Sequence, residues 1–391
     1  MPRQTRSSSG RLGASVGCYP FGQRWGRDTA AVFGSDKQRV ATTMPDSLTI
    51  AIAWSGLPPY GLNAIRALVV RMAVRPVVVG TRPDTSYDAI EKLATLPIHW
   101  VDEHDRSLAW SRFTQKIPDV FIVSGWGTPS FNELGRQVRE NGGSVIAMVD
   151  NRWRGDLRQL VAPIVFRTKY RNWFKAAIVP GRSAWEYVRY LGLPAAAIYE
   201  GLYGGNSAVF IPGPPLADRP KRFVFVGRFV ERKGIRELAT AWAAAAPEFP
   251  DWELHAVGEG PLQELLEHKP QTFVYRFKQP NELAELYRAS RFLVLPSHED
   301  HWGVVVHEAA MSGCGLIVST NVGARFDLAN QHNSLTFQAG NAAALQKAIA
   351  VAARLGEREL RIAYHESLAL AYRFGPRSFA DAVEQVVRSL K

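Results

Sequence analysis

Short apolar runs that alternate with helical stretches constrain the fold of this chain more than any other feature. From residue 48 onward, each run is bounded by glycine, proline or polar turn residues and has the length of one strand. Strands that are apolar on both faces are typical of parallel sheets covered by helices, so the pattern predicts an α/β fold of strand–helix units. Twelve runs occur, at residues 48–53, 76–80, 98–101, 120–123, 144–149, 176–179, 222–226, 253–257, 272–275, 292–295, 316–319 and 334–337.

A proline-rich segment divides these runs into two groups of six. Residues 211–220 read IPGPPLADRP, with four prolines and no periodic apolar pattern, which is typical of a linker. The chain has 391 residues, 46% of them hydrophobic, so it is long enough to bury two cores. We therefore predict two Rossmann-like, doubly wound domains at residues 46–210 and 221–373, followed by a helical segment at residues 374–391.

The first 45 residues differ in composition from the rest of the chain. Seven cationic and two anionic side chains fall in this segment, so it carries five of the eleven net positive charges. It is rich in Arg, Ser and Gly and lacks the apolar core of a secretory signal. Three interpretations stay open: a transit-like sequence, a disordered arm, or a mis-assigned start upstream of Met44.

Apolar segments and cysteines indicate the cellular compartment of the protein. No apolar run approaches the roughly 20 residues of a membrane-spanning helix, so we expect a cytoplasmic protein that is soluble or peripheral to the inner face of the membrane. The two cysteines are Cys18, in the leader, and Cys314. We expect no disulfide between them and a reducing compartment.

Two motifs follow strands of the second group, at the sheet edge where parallel sheets bind ligands. GRFVERKG begins at Gly227 and places Arg228 and Lys233 five residues apart before a helix, which suits a diphosphate. PSHEDHWGVVVHEAAMSG, at residues 296–313, sets Asp300 and Glu308 eight positions apart. That spacing is too long for an acid–base couple on one bond, so the pair would contact different parts of one ligand. The ordinary alternatives are a solvated helix start, an N-cap and a surface carboxylate.

Two weaker patterns leave alternatives open. The sequence Gly258-Glu259-Gly260-Pro261 does not complete a dinucleotide fingerprint, so it is either a tight strand-to-helix turn or a ligand contact. Residues 298–301 offer four metal-ligating side chains, but no second cluster completes a site and no Asp-x-Asp pair occurs. We predict neither a metal nor any other cofactor.

Together the motifs resemble those of family 4 retaining glycosyltransferases, among the group 1 glycosyl transferases. The resemblance is strong from residue 223 to residue 337 and only architectural before that. It implies the GT-B fold, in which two Rossmann-like domains face a cleft. The first domain would bind the acceptor and the second the nucleotide-sugar donor, and the last helix, about residues 377–390, would cross back to the first domain.

The resemblance also implies a role for each motif residue. Arg228 and Lys233 would hold the donor phosphates in place of a metal, Asp300 would contact the donor sugar, and Glu308 the ribose. Asp300 stands where the family more often has glutamate, and the adjacent Glu299 is a competing candidate. Arg276 replaces an expected glycine, which puts a local turn and the base preference in question. The remaining donor-binding candidates are Gly227, Gly258, Trp302, Gly303 and Val304.

The first domain offers fewer candidates. Gly56, in WSGLPPYG, is one glycine where the family often has a pair, and it is a candidate contact in the cleft. Many members carry a histidine after the strand at 144–149, whereas this chain has Asp150, so we predict an acceptor-hydroxyl contact and no catalytic imidazole there. Residues 154–175 mix cations with aromatic side chains, as at a lipid–water interface or an anionic-acceptor site. The alternative is a helix packed on the sheet with a solvated basic face.

By resemblance, the chain moves a hexose from a UDP- or GDP-sugar to a hydroxyl acceptor with retention at the anomeric carbon. We expect a glycan or lipid-linked acceptor in cell-surface polysaccharide or glycolipid synthesis, peripheral contact with anionic membrane, and no nucleic-acid partner. A nucleotide-sugar epimerase, another two-Rossmann enzyme and a non-catalytic nucleotide-sugar-binding subunit are the alternatives.

Overall fold

A computed structural model describes residues 48–83 and 94–390 of the chain. The basic leader at residues 1–45, with Cys18 and the start at Met44, lies outside the described residues. The described part contains two parallel sheets with helices, which confirms the predicted α/β class. None of its helices has both the length and the apolar character needed to cross a membrane.

The first sheet has seven strands in the order β3-β2-β1-β4-β5-β6-β7. Each of the six predicted runs contains one strand, and the seventh strand, β7, is an addition of only three residues. The chain order reverses between β1 and β4, which creates the crevice where open α/β sheets bind ligands. The strands are β1 (Ile50–Trp54), β2 (Val77–Gly80), β3 (Ile98–Trp100), β4 (Val120–Ser124), β5 (Ser144–Met148), β6 (Ala176–Val179) and β7 (Ile198–Glu200).

The second sheet has six strands in the order β10-β9-β8-β11-β12-β13, with the same reversal between β8 and β11. Phe292 pairs with Phe223 and Leu293 with Val224 across that central junction. These strands are β8 (Arg222–Val226), β9 (Glu253–Val257), β10 (Thr272–Tyr275), β11 (Phe292–Leu295), β12 (Gly315–Ser319) and β13 (Ser334–Phe337). The segment 211–220 lies between the two sheets.

Twelve α-helices cover the sheets of the described chain. The helices of the first half are α1 (Pro59–Met72), α2 (Pro129–Glu140), α3 (Leu157–Val165) and α4 (Arg182–Leu191). Those that follow β8 are α5 (Ile235–Ala245), α6 (Glu264–Glu267), α7 (Pro280–Arg288), α8 (Val304–Met311), α9 (Arg325–Leu328), α10 (Ala342–Ala353), α11 (Glu357–Ala371) and α12 (Pro376–Ser389).

The last helix, α12, returns to the first sheet. Its buried Phe379 and Val383 join the same hydrophobic core as Ile52 of β1. The Arg71 guanidinium of α1 lies 3.0 Å from Asp381 and 2.9 Å from Glu384 on the outer side of that contact. Because the apolar face of α12 is buried against α1 and β1, the two ends of the described chain stabilise one domain together.

Candidate functional site

The loops that follow β8 and β9 are held against each other by glycine. Gly258 and Gly260 have φ of 148° and 154°, and an added Cβ would collide with the carbonyl oxygens of Gly227 and Phe229. The Phe229 amide donates to the Glu259 carbonyl at 2.8 Å. Close backbone packing therefore accounts for the GEGP turn. At Gly227, with φ of 155°, an added Cβ would lie 3.4 Å from the Phe225 ring and 3.7 Å from the Lys233 side chain.

The two predicted phosphate-binding cations differ in their surroundings. Arg228 is exposed, and its guanidinium pairs with no carboxylate in the described part of the chain. Lys233 ends a single 3-10 turn, Glu231–Lys233, and Gly234 then has φ of 70° where it touches the backbone of Pro296. This turn directs the Lys233 ammonium at the Asp300 carboxylate, with an Nζ–Oδ2 distance of 2.5 Å.

Asp300 lies in the loop between β11 and α8 and is 8% exposed. Its amide donates to the Asn321 carbonyl at 3.2 Å, and its carbonyl accepts from the Gly323 amide at 3.0 Å. The Asp300 carboxylate is thus fixed toward the second domain's own cation. Glu299 faces the other way, 2.5 Å from Arg154 of the first domain. The structure therefore separates the two competing acids by the direction in which each points.

Helix α8 starts immediately after this loop. Gly303 precedes it with φ of 95°, and no side chain caps its first amides. Its amino end is therefore a polar surface that favours an anion. The Trp302 side chain is buried and its Nε1 lies 3.4 Å from Asp327, so only the backbone of Trp302 is available to a ligand. Val304 is partly exposed.

Glu308 lies in the second turn of α8 and has an unusual environment. The Tyr287 hydroxyl donates to Glu308 Oε2 over 3.4 Å, a weak interaction at that length. Burial raises the pKa of the Glu308 carboxyl from its ordinary 4.5 to about 7. The adjacent His307 accepts from the Gly205 amide at 2.8 Å and contacts the Ala371 carbonyl, so it connects the segment after the first sheet to α11.

Asp150 follows β5 on the opposite side of the cleft. Tyr203 donates its hydroxyl to Asp150 Oδ2 at 2.9 Å, and His301 Nδ1 lies 3.5 Å from Oδ1. Burial opposes ionisation of Asp150, but its interactions with His301 and Tyr203 outweigh this and hold its pKa below the ordinary value. The same contact with Asp150 raises the pKa of His301 despite the opposing effect of its burial.

The prediction that no imidazole lies at this strand end was therefore incomplete. The first domain has no histidine at that position, but the second domain supplies His301, the residue directly after Asp300. Sequence reasoning considered His301 only as a metal ligand, because the contact depends on how the two domains face each other. Tyr203 was missed altogether, since nothing in its local sequence marks it.

A cavity of about 480 Å³ opens beside Asp150 at the carboxyl ends of the first sheet's strands. Trp54, Ser124, Trp126, Asn151 and Tyr203 are among the residues that line it. Gly56 is not one of them: its amide donates to Thr81 at 2.7 Å, and its φ of 56° serves the turn after β1.

The metal-ligating side chains at residues 298–301 do not converge. His298 lies 2.9 Å from Glu237, whereas Asp300 and His301 contact Lys233 and Asp150. Between residues 48 and 83 and between 94 and 390, no three His, Cys, Asp or Glu side chains are grouped to hold a metal ion. Arg276 is exposed and follows β10 without a positive φ, so the chain makes this turn without glycine.

Comparisons with known proteins agree with this geometry. Residues 220–354 match a sequence model of the family described as glycosyl transferases group 1. An uncharacterized glycosyltransferase of Haemophilus influenzae is 28% identical over 118 residues, which are 29% of this chain and 33% of that protein. A glycogen synthase of Mycobacterium tuberculosis is 33% identical over 112 residues, 27% of each chain. The match thus spans about a third of these curated relatives or less.

The fold is shared over most of the chain. The crystal structure of HepE of Anabaena in complex with UDP and glucose superposes with a TM-score of 0.68 at 12% identity, covering 88% of this chain and all of that one. A sucrose-phosphate synthase of Thermosynechococcus elongatus gives 0.66 at 18% identity, covering 88% and 99%. The two sheets therefore form the GT-B architecture of glycosyltransferases.

Proposed function

We propose that the protein transfers a hexose from a nucleotide diphosphate sugar to a hydroxyl acceptor, because residues 220–354 match the family described as glycosyl transferases group 1. One observation carries the proposal: at the strand ends of a GT-B fold, Lys233 pairs with Asp300 just before the uncapped amino end of α8, and the exposed Arg228 follows β8. All of these groups lie within the segment that matches the family.

The donor would bind along this edge with its diphosphate beside the two cations. Arg228 offers several donors to phosphate oxygens, and the free amides of α8 add partial positive charge. Glu308, one helical turn farther along, is placed to contact the ribose, and Asp300 to contact hydroxyls of the sugar. UDP is bound in the structurally similar HepE, so we propose a UDP-sugar first and a GDP-sugar second.

Catalysis would rest on stabilising the charge of the departing diphosphate. Lys233 and the α8 amides are fixed before the reaction and so cost little reorganisation when that charge develops, and the exposed Arg228 would add a further cation. We propose transfer with retention, in which the departing phosphate takes the proton of the acceptor hydroxyl on the same face. This route needs neither a protein nucleophile nor a metal.

The acceptor would enter the cavity beside Asp150 in the first domain. A carboxylate that stays charged accepts a hydrogen bond from a sugar hydroxyl, and the interactions with His301 and Tyr203 keep Asp150 charged. We propose a glycan or lipid-linked saccharide of the cell surface as acceptor, used by a cytoplasmic protein that associates peripherally with anionic membrane.

Thermal stabilisation of the full chain by UDP, GDP, ADP and NAD tests the donor class. A nucleotide at a hundred times its Kd stabilises the folded state by about 2.7 kcal/mol, which is easily measured. Selective stabilisation by UDP or GDP supports the proposal. Stabilisation by NAD alone would indicate an epimerase or redox enzyme, and no response to any nucleotide would contradict nucleotide-sugar binding.

Acceptor-dependent release of nucleotide then separates a transferase from a binding subunit. Arg228→Ala should weaken nucleotide binding, whereas Asp300→Ala should lower turnover far more than affinity. Arg236→Ala is the matched control, because Arg236 is an exposed cation of α5 whose partner is Glu231. Equal losses in all three variants would refute the assigned roles.

A further inference from the structure

Helix α3 exposes most of its aliphatic side chains and buries its glutamine. Leu157, Val161 and Ile164 are 80%, 53% and 65% exposed, whereas Gln159 is 5% exposed. Gln159 donates to the Arg152 carbonyl at 2.7 Å and accepts from the Arg154 amide, and Asp156 caps the helix. These polar contacts fix the orientation of α3, so the same aliphatic side chains always face solvent. A helix whose solvent face is only basic, the alternative interpretation of residues 154–175, does not describe α3.

The exposed face of α3 borders an apolar groove of about 540 Å³. Its walls include Leu157, Val161 and Val165 on one side and Phe166, Tyr170 and Trp126 on the other. Trp126 is partly exposed and packs edge-on against Phe166, with ring centroids 5.3 Å apart. A groove with such walls binds a chain without polar groups.

The segment that supplies most of the groove's lining, residues 157–175, carries cations without ion-pair partners among the described residues, and one of them, Arg158, lines the groove. Residues 157–175 contain five exposed cationic side chains and no acidic residue, and none of the five forms an ion pair within the described chain. A ligand with an apolar part and an anionic part is complementary to this surface. A lipid with a phosphate headgroup has both parts. The five cations are Arg158, Arg167, Lys169, Arg171 and Lys175.

The groove adjoins the cavity beside Asp150. Trp126 lines both the groove and the cavity that contains Asp150. We propose that the groove binds the hydrocarbon chain of a lipid-anchored acceptor, with the cations on the anionic headgroup and the reacting hydroxyl beyond Trp126 at Asp150. The position of that hydroxyl rests on the proposed function, whereas binding of the hydrocarbon chain in the groove does not.

Vesicles test the lipid surface without any enzymatic reaction. The full chain should sediment with phosphatidylglycerol vesicles and much less with phosphatidylcholine vesicles. Val161→Asp, which places a carboxylate in the groove, should weaken sedimentation at least tenfold. Val351→Asp is the matched control, since Val351 is a 47% exposed valine of α10 on the other domain, and it should sediment like the wild type.

Lipids brominated in their chains test the groove itself. They should quench tryptophan fluorescence of the wild type more than that of Trp126→Phe, whose ten remaining tryptophans give the background. Equal quenching in both proteins, or vesicle binding unchanged by Val161→Asp, would overturn the proposal. So would a concentration-dependent dimer that Val161→Asp abolishes, because a second copy would then cover this face.

Enzymatic assays keep this proposal and the proposed function apart. With a long-alkyl and a methyl glycoside of the same sugar as acceptors, the wild type should favour the long chain at least tenfold in kcat/KM. Val161→Asp should lose that preference while UDP stabilisation stays the same. Nucleotide binding and transfer without a chain preference would overturn only the groove proposal. Chain-dependent quenching without nucleotide binding would overturn only the proposed function.

Discussion

Glu308→Gln should stabilise the protein, and the gain should grow with pH. Burial raises the pKa of the Glu308 carboxyl from 4.5 to about 7, so the folded state favours its neutral form. Ionising it in the folded protein costs free energy that is absent below about pH 4.5 and fully present above about pH 7. At about 1.36 kcal/mol per pH unit, the difference between 4.5 and about 7 corresponds to about 3 kcal/mol at most.

The measurement is denaturant unfolding of the wild type and Glu308→Gln across a pH series. Glutamine keeps an acceptor for the Tyr287 hydroxyl but cannot ionise. Between about pH 5 and about pH 8 the stability difference should widen by up to about 2.5 kcal/mol in favour of glutamine. Glu264→Gln is the matched control, because it makes the same chemical change at an exposed residue of α6.

Nucleotide binding should favour the ionised Glu308 carboxylate, whereas folding favours its neutral form. A ribose hydroxyl donates better to a carboxylate than to a neutral carboxyl, so UDP would have to deprotonate Glu308 below about pH 7. The affinity of the wild type for UDP should then fall by up to about tenfold per pH unit below about pH 7. The affinity of Glu308→Gln should not show this fall. A stability difference between the two proteins that is independent of pH would refute the reasoning about burial.

Two further predictions concern the contact between His301 and Asp150 and the GEGP turn after β9. Contact with Asp150 raises the pKa of His301. The ion pair therefore stabilises the fold fully below the unfolded pKa of about 6.5, and this stabilisation is lost as pH rises through the folded pKa. The Tm deficit of His301→Ala should be widest near pH 6 and close toward pH 9, and a constant deficit would contradict the ion pair. Gly260→Ala should lower stability by about 1–3 kcal/mol in denaturant unfolding, because its Cβ would collide with the Phe229 carbonyl at φ of 154°. Gly340→Ala, with φ of 77° and nothing within 4 Å, should cost less.

The strands and the loops at their ends could be predicted because their physical causes are local. A buried parallel strand is a continuous apolar run, and a loop at a strand end takes its shape from its own glycines and short polar residues. Strand β7 was missed because its residues, Ile198–Glu200, read IYE and do not form an apolar run. The contact between His301 and Asp150 and the exposed face of α3 depend on distant parts of the chain, which no local pattern records.

The ion pair between Lys233 and Asp300 explains how one site can hold both an acidic side chain and a diphosphate. An isolated Asp300 carboxylate at the amino end of α8 would repel the phosphates that the helix attracts. Lys233 lies 2.5 Å from that carboxylate and cancels its charge, yet an ammonium has three donors and needs only one for Asp300. The other two are available for phosphate oxygens. In the proposed donor complex, the pair would place Lys233 between Asp300 and the diphosphate, while the exposed Arg228 would supply the uncompensated charge that attracts the nucleotide.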